Sequence, residues 1–116
     1  MGRYISTTGT AGAVTREVST TYAALVNDRI LADSTGGAFT ITLPANAGLL
    51  INDTIQIIDA TSQTGVNAIT VGRNGSLIQG VAEDLTVDLP GAIMTMVYTG
   101  LVIVQVITLS LPQIIP

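Results

Sequence analysis

The sequence predicts an all-β protein: a single β-sandwich or jelly-roll-like domain of about eight short strands, with an extended N-terminal arm. Apolar and polar residues alternate in several segments, such as F-T-I-T-L at residues 39–43, as is typical of a strand with one buried face. Turn-forming Gly, Asn, Asp and Pro residues separate these segments at short spacing. No segment carries the period of a helix of useful length.

Two turns are predicted to make hairpins. Residues 29–32 and 38–43 flank a Gly-rich segment, and Pro44 ends the second run because proline cannot donate to a ladder. Asn74-Gly75 is the strongest short hairpin signal in the chain, and it leads into a short strand at 77–78. The predicted strands are residues 29–32, 38–43, 54–59, 67–71, 77–78, 85–89, 93–99 and 101–109.

The C-terminal part of the chain is uncharged after Asp88. Residues 93–111 are long enough for a membrane span, but Thr95 and Gln105 are polar and no basic residue flanks the segment. Its β-branched residues favour strands, so we expect no membrane partner.

The last predicted strand, residues 101–109, is apolar on both faces. One domain core covers only one face, so the other predicts a subunit interface. The candidate residues for this oligomer interface are Val102, Val104, Val106, Leu109 and Ile114.

The composition favours association with other protein. Of 116 residues, 47% are hydrophobic and only 10% are charged, well below an ordinary soluble domain. Such a surface predicts a homo-oligomer or a larger assembly, and the alternative is a monomer whose polar face is made of Thr, Ser, Asn and Gln. The net charge is −4, and four scattered Arg residues without Lys do not form the cationic stripe that nucleic acid requires.

We expect three parts in the chain: an extended arm at residues 1–21, the β domain at 22–110 and an apolar tail at 111–116. The start lacks the apolar block of a secretory signal. The arm is predicted to bind a neighbouring subunit or another protein. Its candidate contact residues are Arg3, Tyr4, Ile5, Val14 and Arg16.

Candidate catalytic and metal-binding residues are few. The chain has no Cys or His, which removes the usual zinc and copper ligands and the usual base for a Ser or Thr nucleophile. Glu83 and Asp84 could hold Ca²⁺ weakly, although solvated charges are the simpler interpretation. We therefore expect no enzyme activity and no cofactor. Five further polar residues at strand ends are interpreted as local turn formers: Asp28, Asp33, Asn52, Asp53 and Asp59.

Four segments resemble small virion structural proteins of tailed bacteriophages. They read M-G-R-Y-I-S-T-T-G-T-A-G-A-V at the start, N-D-R-I-L-A-D-S-T-G-G-A-F-T-I-T-L-P at 27–44, N-A-I-T-V-G-R-N-G-S-L-I-Q-G at 67–80 and M-V-Y-T-G at 96–100. In the family, an arm precedes a compact β-sandwich, and the proteins serve as head decoration (cement) proteins or as parts of tail fibres and spikes.

The resemblance implies a capsid decoration protein that binds the major capsid protein as a homotrimer and stabilises contacts between capsomers. It would then be located on the capsid surface of the virion, after assembly in the host cytoplasm. The alternative is a tail-fibre or tail-tip module that binds the host. A lone chain of 116 residues without a coiled-coil or triple-helical shaft favours the head.

Overall fold

The structure is a computed structural model that describes residues 13–100 and 102–109, and of residues 104–109 it describes the backbone alone. These residues form nine β-strands and one short 3-10 helix at Asn46–Gly48, and this part of the chain contains no α-helix. The strands are β1 (Val14–Val18), β2 (Tyr22–Ala23), β3 (Asp28–Ala32), β4 (Phe39–Thr42), β5 (Thr54–Asp59), β6 (Ile69–Gly72), β7 (Leu85–Val87), β8 (Ala92–Tyr98) and β9 (Ile103–Leu109). The predicted all-β class is confirmed.

The strands form two mixed sheets. One has five strands in the order β1-β3-β5-β8-β9, and the other has four in the order β2-β4-β6-β7. The pairs β1–β3, β3–β5, β2–β4 and β4–β6 are parallel, whereas β5–β8, β8–β9 and β6–β7 are antiparallel. The first six strands therefore alternate between the sheets, so the chain winds as a coil that adds one strand to each sheet per turn.

Both sheets contribute to one hydrophobic core cluster. Period-two alternation decides which residues enter it, since successive side chains of a strand point to opposite faces. In β3 and β5 the buried members include Ile30 and Ile57, and in β4 and β6 they include Ile41 and Ile69. Burying a side chain of this size contributes about 1.5–3 kcal/mol.

The predicted hairpin between residues 29–32 and 38–43 is wrong. These runs are β3 and β4, which lie in different sheets, and the segment between them carries the chain across. Alternation shows which face of each run is buried but not which strand lies beside it. Here Asn67 Nδ2 donates to the carbonyl oxygen of Ser34 at 2.8 Å and fixes the crossing segment from another loop.

The predicted hairpin at Asn74-Gly75 is also wrong. The turn is present, but β6 pairs with β7, which begins eleven residues after Asn74. Ile78 forms only isolated bridges, with Val81 and Ile103. The side chain of Asn74 donates to the carbonyl oxygen of Leu43 at 2.9 Å, so this turn is held against the end of β4.

Other strand predictions agree closely with the structure. The strand at 54–59 is β5 with the same bounds, and residues 93–99 and 101–109 contain most of β8 and β9. The uncharged C-terminal stretch is thus, in its described part, an antiparallel pair of strands. The four parallel pairs differ from a jelly roll, which is built from antiparallel Greek keys.

Within the segment predicted as an arm, residues 14–18 form β1 at the edge of the five-stranded sheet, in parallel register with β3. Residues 1–12 and the predicted tail at 111–116 lie outside the described residues.

Candidate interaction surfaces

Exposed apolar side chains are concentrated at the end of the five-stranded sheet where β1, β3 and β5 begin. Leu50 and Ile51, in the turn before β5, are 72% and 66% exposed, and Leu25, before β3, is 55% exposed. Six of the eight exposed large hydrophobic residues in the described part of the chain lie here. We call this surface the Leu50 end, and it consists of Val14, Leu25, Leu50, Ile51, Leu77 and Val81.

Backbone hydrogen bonds hold the turns of the Leu50 end side by side. The N–H of Asn27 donates to the carbonyl oxygen of Thr54 at 2.9 Å, and the N–H of Val14 donates to that of Asn27 at 2.9 Å. The N–H of Asn52 donates to the carbonyl oxygen of Tyr98 at 2.8 Å. The exposed side chains therefore project from backbone that is fixed to the sheet.

The segment at 77–81 reaches the same end. The N–H of Ile103 donates to the carbonyl oxygen of Leu77 at 2.8 Å, and the N–H of Gln79 donates to that of Ile103 at 2.9 Å. These bonds place Leu77 and Val81 beside the first residue of β9. The exposed apolar residues of the loop after β6 thus lie at the same end of the sheet as those of the turns before β3 and β5.

A buried carboxylate stabilises the Leu50 end from inside. Asp28, the first residue of β3, is only 2% exposed. Its Oδ1 accepts a hydrogen bond from Arg16 Nε at 2.7 Å, which is also an ion pair. Its Oδ2 accepts from Tyr22 Oη at 2.7 Å and from the N–H of Leu25 at 2.9 Å. One side chain therefore connects β1, β2 and the turn before β3.

The partners of Asp28 determine its charge state. Burial by itself raises the pKa of Asp28, but the hydrogen bonds from the Leu25 N–H, Arg16 and Tyr22, with the positive charge of Arg16, hold the pKa below its ordinary value of 3.8. Burial and the hydrogen bond to Asp28 raise the pKa of Tyr22. Asp28 is therefore a structural anion at neutral pH.

A second buried carboxylate lies at the opposite end of the same sheet. Asp59, the last residue of β5, is 5% exposed. Its Oδ2 accepts hydrogen bonds from Thr64 Oγ1 at 2.8 Å, from the Gly91 N–H at 2.9 Å and from the Thr64 N–H at 3.4 Å. Burial raises the pKa of Asp59, but these bonds bring it below 3.8. Its Oδ1 is buried without a hydrogen-bond partner. We call the loops around this carboxylate, which carry Thr64 and Gly91, the Asp59 end.

The outer face of the five-stranded sheet carries a row of aliphatic residues. Leu31 of β3 pairs with Ile58 of β5, which pairs with Ile93 of β8, and all three side chains are half-buried. Their strand neighbours Ile30 and Ile57 point into the core, so the row lies on the opposite face. We call these three residues the outer row.

The predicted contact residues of the arm are separated by the structure. Val14 is 46% exposed and belongs to the Leu50 end. Arg16 does not stand free, because its guanidinium pairs with Asp28. Arg3, Tyr4 and Ile5 lie outside the described residues.

The predicted oligomer residues are described in part. Val102 is half-buried, and the backbones of Val104, Val106 and Leu109 pair with those of Val97, Thr95 and Ala92 in the ladder between β8 and β9. The side chains of these three residues, and all of Ile114, lie outside the described part of the chain.

Of the two residues of the possible cation site, Glu83 and Asp84, the second has a local structural role. Asp84 Oδ1 accepts the N–H of Arg73 at 2.9 Å, which ties the loop before β7 to the end of β6, and both acidic residues are exposed. Over the described ranges, no group of three or more Asp, Glu, His or Cys residues is arranged to hold a metal ion.

The interpretation of the strand-end acids as local turn formers holds for two of them. Asp33 accepts the Thr35 N–H at 2.9 Å, and Asp53 accepts the Leu50 N–H at 2.7 Å. For Asp28 and Asp59 it is incomplete, because both also bind distant residues. The alternation of the strands could have shown that these two acids are buried, since Asp28 shares a face with Ile30 and Asp59 shares one with Ile57.

No protein-family model matches the chain, and no curated protein is significantly similar to it. The resemblance to phage virion proteins therefore remains a prediction from the sequence. Among the helices of the described residues, none is long and apolar enough to cross a membrane.

Proposed function

We propose that the protein is a non-enzymatic structural protein of a phage virion, a decoration protein that binds the capsid surface as a trimer and stabilises contacts between capsomers. The observation that carries this proposal is the Leu50 end: six exposed aliphatic residues at one end of the sheet, on strand ends and turns with backbone hydrogen bonds. Exposed apolar patches on soluble proteins commonly mark sites of protein association.

The Leu50 end is the surface that contacts the capsid. Its turns are already ordered by backbone bonds, so binding loses less conformational entropy than the ordering of a free loop would. We assign the arm residues Arg3, Tyr4 and Ile5, which precede β1 in the sequence, to capsid binding as well.

The two sheets pack face to face as a β-sandwich, an arrangement supported by the single core cluster that contains residues of both sheets. In the trimer, subunits contact one another through β9 and its neighbour β8. β9 is an edge strand, and its valines Val104 and Val106 pair with Val97 and Thr95. A three-fold protein suits a capsid because icosahedral shells offer three-fold and quasi-three-fold positions.

Binding to the capsid is tested with two matched variants. Leu50→Asp/Ile51→Asp adds charge to the Leu50 end, and Val66→Asp adds charge at the opposite end, where Val66 is 79% exposed. We expect the first variant to keep its trimeric mass in light scattering but to lose sedimentation with particles, and the second to bind as wild type. Equal binding by both would refute the assignment of the Leu50 end.

Copy number separates the head from the tail. Quantitative mass spectrometry of purified particles is expected to give hundreds of copies, in a ratio near that of the major capsid protein. A few copies to a few tens would instead assign the chain to a tail fibre or tail tip. Replacing Val104 by Asp is expected to dissociate the trimer, and a fully assembled variant would contradict the proposed subunit contact.

A further inference from the structure

The turn at residues 73–76 follows β6 and carries the Asn-Gly pair, although no hairpin forms there. Asn74 has a φ of +48° and Gly75 a φ of +95°, so both residues lie in the left-handed region. Glycine adopts this region without strain, and asparagine tolerates it better than most residues do. Both residues are exposed. Backbone conformation therefore accounts for both residue types, and the chemical reactivity of the pair is a separate property.

Asparagine followed by glycine is especially prone to spontaneous deamidation. The Gly75 nitrogen loses its proton to water or hydroxide and attacks Asn74 Cγ, and no side chain on Gly75 hinders the approach. The C–N bond of the side-chain amide then breaks, ammonia leaves and a succinimide ring forms. Water opens the ring at either of its two carbonyl carbons, the Gly75 nitrogen recovers its proton, and the product is aspartate or isoaspartate. The net reaction converts the amide and a water molecule into a carboxylate and an ammonium ion.

A hydrogen bond restrains the reacting amide in the folded chain. Asn74 Nδ2, the atom that leaves as ammonia, donates to the carbonyl oxygen of Leu43 at 2.9 Å. Leu43 is 1% exposed, and its own N–H donates to the carbonyl oxygen of Gly72 at 2.8 Å, so the acceptor is fixed to the sheet. Ring closure brings Asn74 Cγ to bonding distance of the Gly75 nitrogen. The amide must therefore leave Leu43 before it reacts.

Three further hydrogen bonds attach the turn to two other loops. The N–H of Asn46 donates to the carbonyl oxygen of Asn74 at 3.3 Å, and Asn46 Nδ2 donates to Ser76 Oγ at 3.0 Å. On the other side, Asp84 Oδ1 accepts the N–H of Arg73 at 2.9 Å. The turn thus opens only when its bonds to the 3-10 helix and to the loop before β7 are weakened.

We propose that Asn74 is a deamidation site whose reaction is controlled by the attachment of its turn to β4 and to the 3-10 helix. The attached turn retains the amide, and the open turn forms the succinimide. The product carboxylate has no N–H to donate and repels the carbonyl oxygen of Leu43, and isoaspartate adds a carbon atom to the main chain. The reaction therefore releases the turn irreversibly, and with it the 3-10 helix that precedes Leu50. This inference does not depend on the proposed virion function.

The rate of deamidation tests the control by the fold. The purified full chain is incubated in mildly alkaline buffer with and without guanidinium chloride, and aspartate and isoaspartate are quantified by peptide mapping at each asparagine. In the denaturant we expect Asn74 to react faster than Asn27, Asn46, Asn52 and Asn67. In the folded chain we expect Asn74 to react several times more slowly than in the denaturant. Equal rates under the two conditions would overturn the proposal, as would a faster reaction of another asparagine in the denaturant.

Matched variants test the attachment of the turn. Ser76→Ala removes the hydroxyl that the side chain of Asn46 binds, and Thr86→Ala removes an exposed hydroxyl of β7 as the control. Asp84→Ala removes the attachment on the other side and provides a second variant. Far-ultraviolet circular dichroism checks that each is folded. We expect Asn74 to react several times faster in the first and third variants than in wild type, and at the wild-type rate in the control. Unchanged rates in both would overturn the proposal.

The release of the turn is tested with a variant that carries the product. Asn74→Asp is compared with Asn52→Asp, which makes the same change of charge at another left-handed residue, with a φ of +78°. Amide hydrogen exchange is followed by nuclear magnetic resonance at Asn46, whose N–H binds the carbonyl oxygen of Asn74, and at Leu49, whose N–H binds that of Asn46. We expect both amides to exchange several times faster in Asn74→Asp than in Asn52→Asp. Equal exchange in the two variants would contradict the release.

Discussion

The two ends of the five-stranded sheet are built around buried aspartates that are satisfied in different ways. At the Leu50 end, both oxygens of Asp28 accept hydrogen bonds, and one of the donors is the cation of Arg16. At the Asp59 end, three neutral donors converge on one oxygen, and the other is buried without a partner.

This difference corresponds to what each end exposes. The Leu50 end presents most of the exposed aliphatic residues of the described chain, and the fully bonded carboxylate of Asp28 holds one of its turns, the one that carries Leu25. The Asp59 end closes the loops before β6 and β8 through neutral groups of Thr64 and Gly91. Hydrogen bonds to charged groups are stronger than neutral ones, so the network of Asp28 fixes β1, β2 and the turn that carries Leu25 firmly to one another.

Replacing each buried aspartate by asparagine is expected to lower the free energy of unfolding more at the Leu50 end than at the Asp59 end. We expect Asp28→Asn to lower the free energy of unfolding by about 3 kcal/mol, since it removes the anion that Arg16 binds and turns an amide donor toward the network. Urea denaturation measures this loss of free energy. Asp88 is exposed, so Asp88→Asn serves as the control and should stay within about 0.5 kcal/mol of wild type. A loss no larger than that of the control would show that the network contributes nothing.

At the Asp59 end, Asp59→Asn is expected to cost about half as much, near 1.5 kcal/mol. The amide oxygen still accepts from Thr64 and Gly91, and no cation is left unpaired. The same urea experiment checks this value. A loss that exceeds that of Asp28→Asn would reverse the comparison of the two ends.

Acid is expected to weaken both ends. Because the pKa values of Asp28 and Asp59 lie below 3.8 in the folded state, their stabilisation is complete above the unfolded-state pKa, about 4, and is lost as the pH falls through the folded values. The free energy of unfolding should therefore decrease below about pH 4. The difference between wild type and Asp28→Asn should narrow there, because a protonated Asp resembles Asn. A difference that is constant with pH would contradict the assigned charge state.

Replacing one glycine near each end by alanine is expected to give smaller losses of stability, which can also be compared. Gly100 has a φ of +102°, and an added Cβ would lie 3.2 Å from Ile51 Cγ1, so Gly100→Ala should cost about 1 kcal/mol. At Gly65, near the Asp59 end, φ is ordinary and the added Cβ would lie 3.0 Å from Pro90 Cγ. Pro90 is exposed and can shift, so Gly65→Ala should cost less. Thermal denaturation of both variants checks the order, and an equal or inverted order would contradict it.

The sequence contained more about the buried acids than local turn chemistry suggests. Asp28 and Asp59 occupy inward positions of β3 and β5 by simple alternation with Ile30 and Ile57. The burial of both acids could therefore be inferred from the alternation. A buried acid must be paired or hydrogen-bonded, so the existence of partners could be inferred as well. The identity of these partners could not, because Arg16, Tyr22 and Gly91 are brought to these acids by strand pairing and loop packing.

The sequence by itself determined the all-β class, the bounds of β5 and the inward faces of the strands, because alternation and turn residues are local signals. Only the tertiary structure decided that β3 and β4 belong to different sheets, that the first six strands pair in parallel, and that exposed aliphatic residues gather at the Leu50 end. Strand pairing joins residues far apart in the chain, and any strand with a free edge and a matching face can serve as a partner. The choice depends on the packing of the complete core, which no single segment encodes.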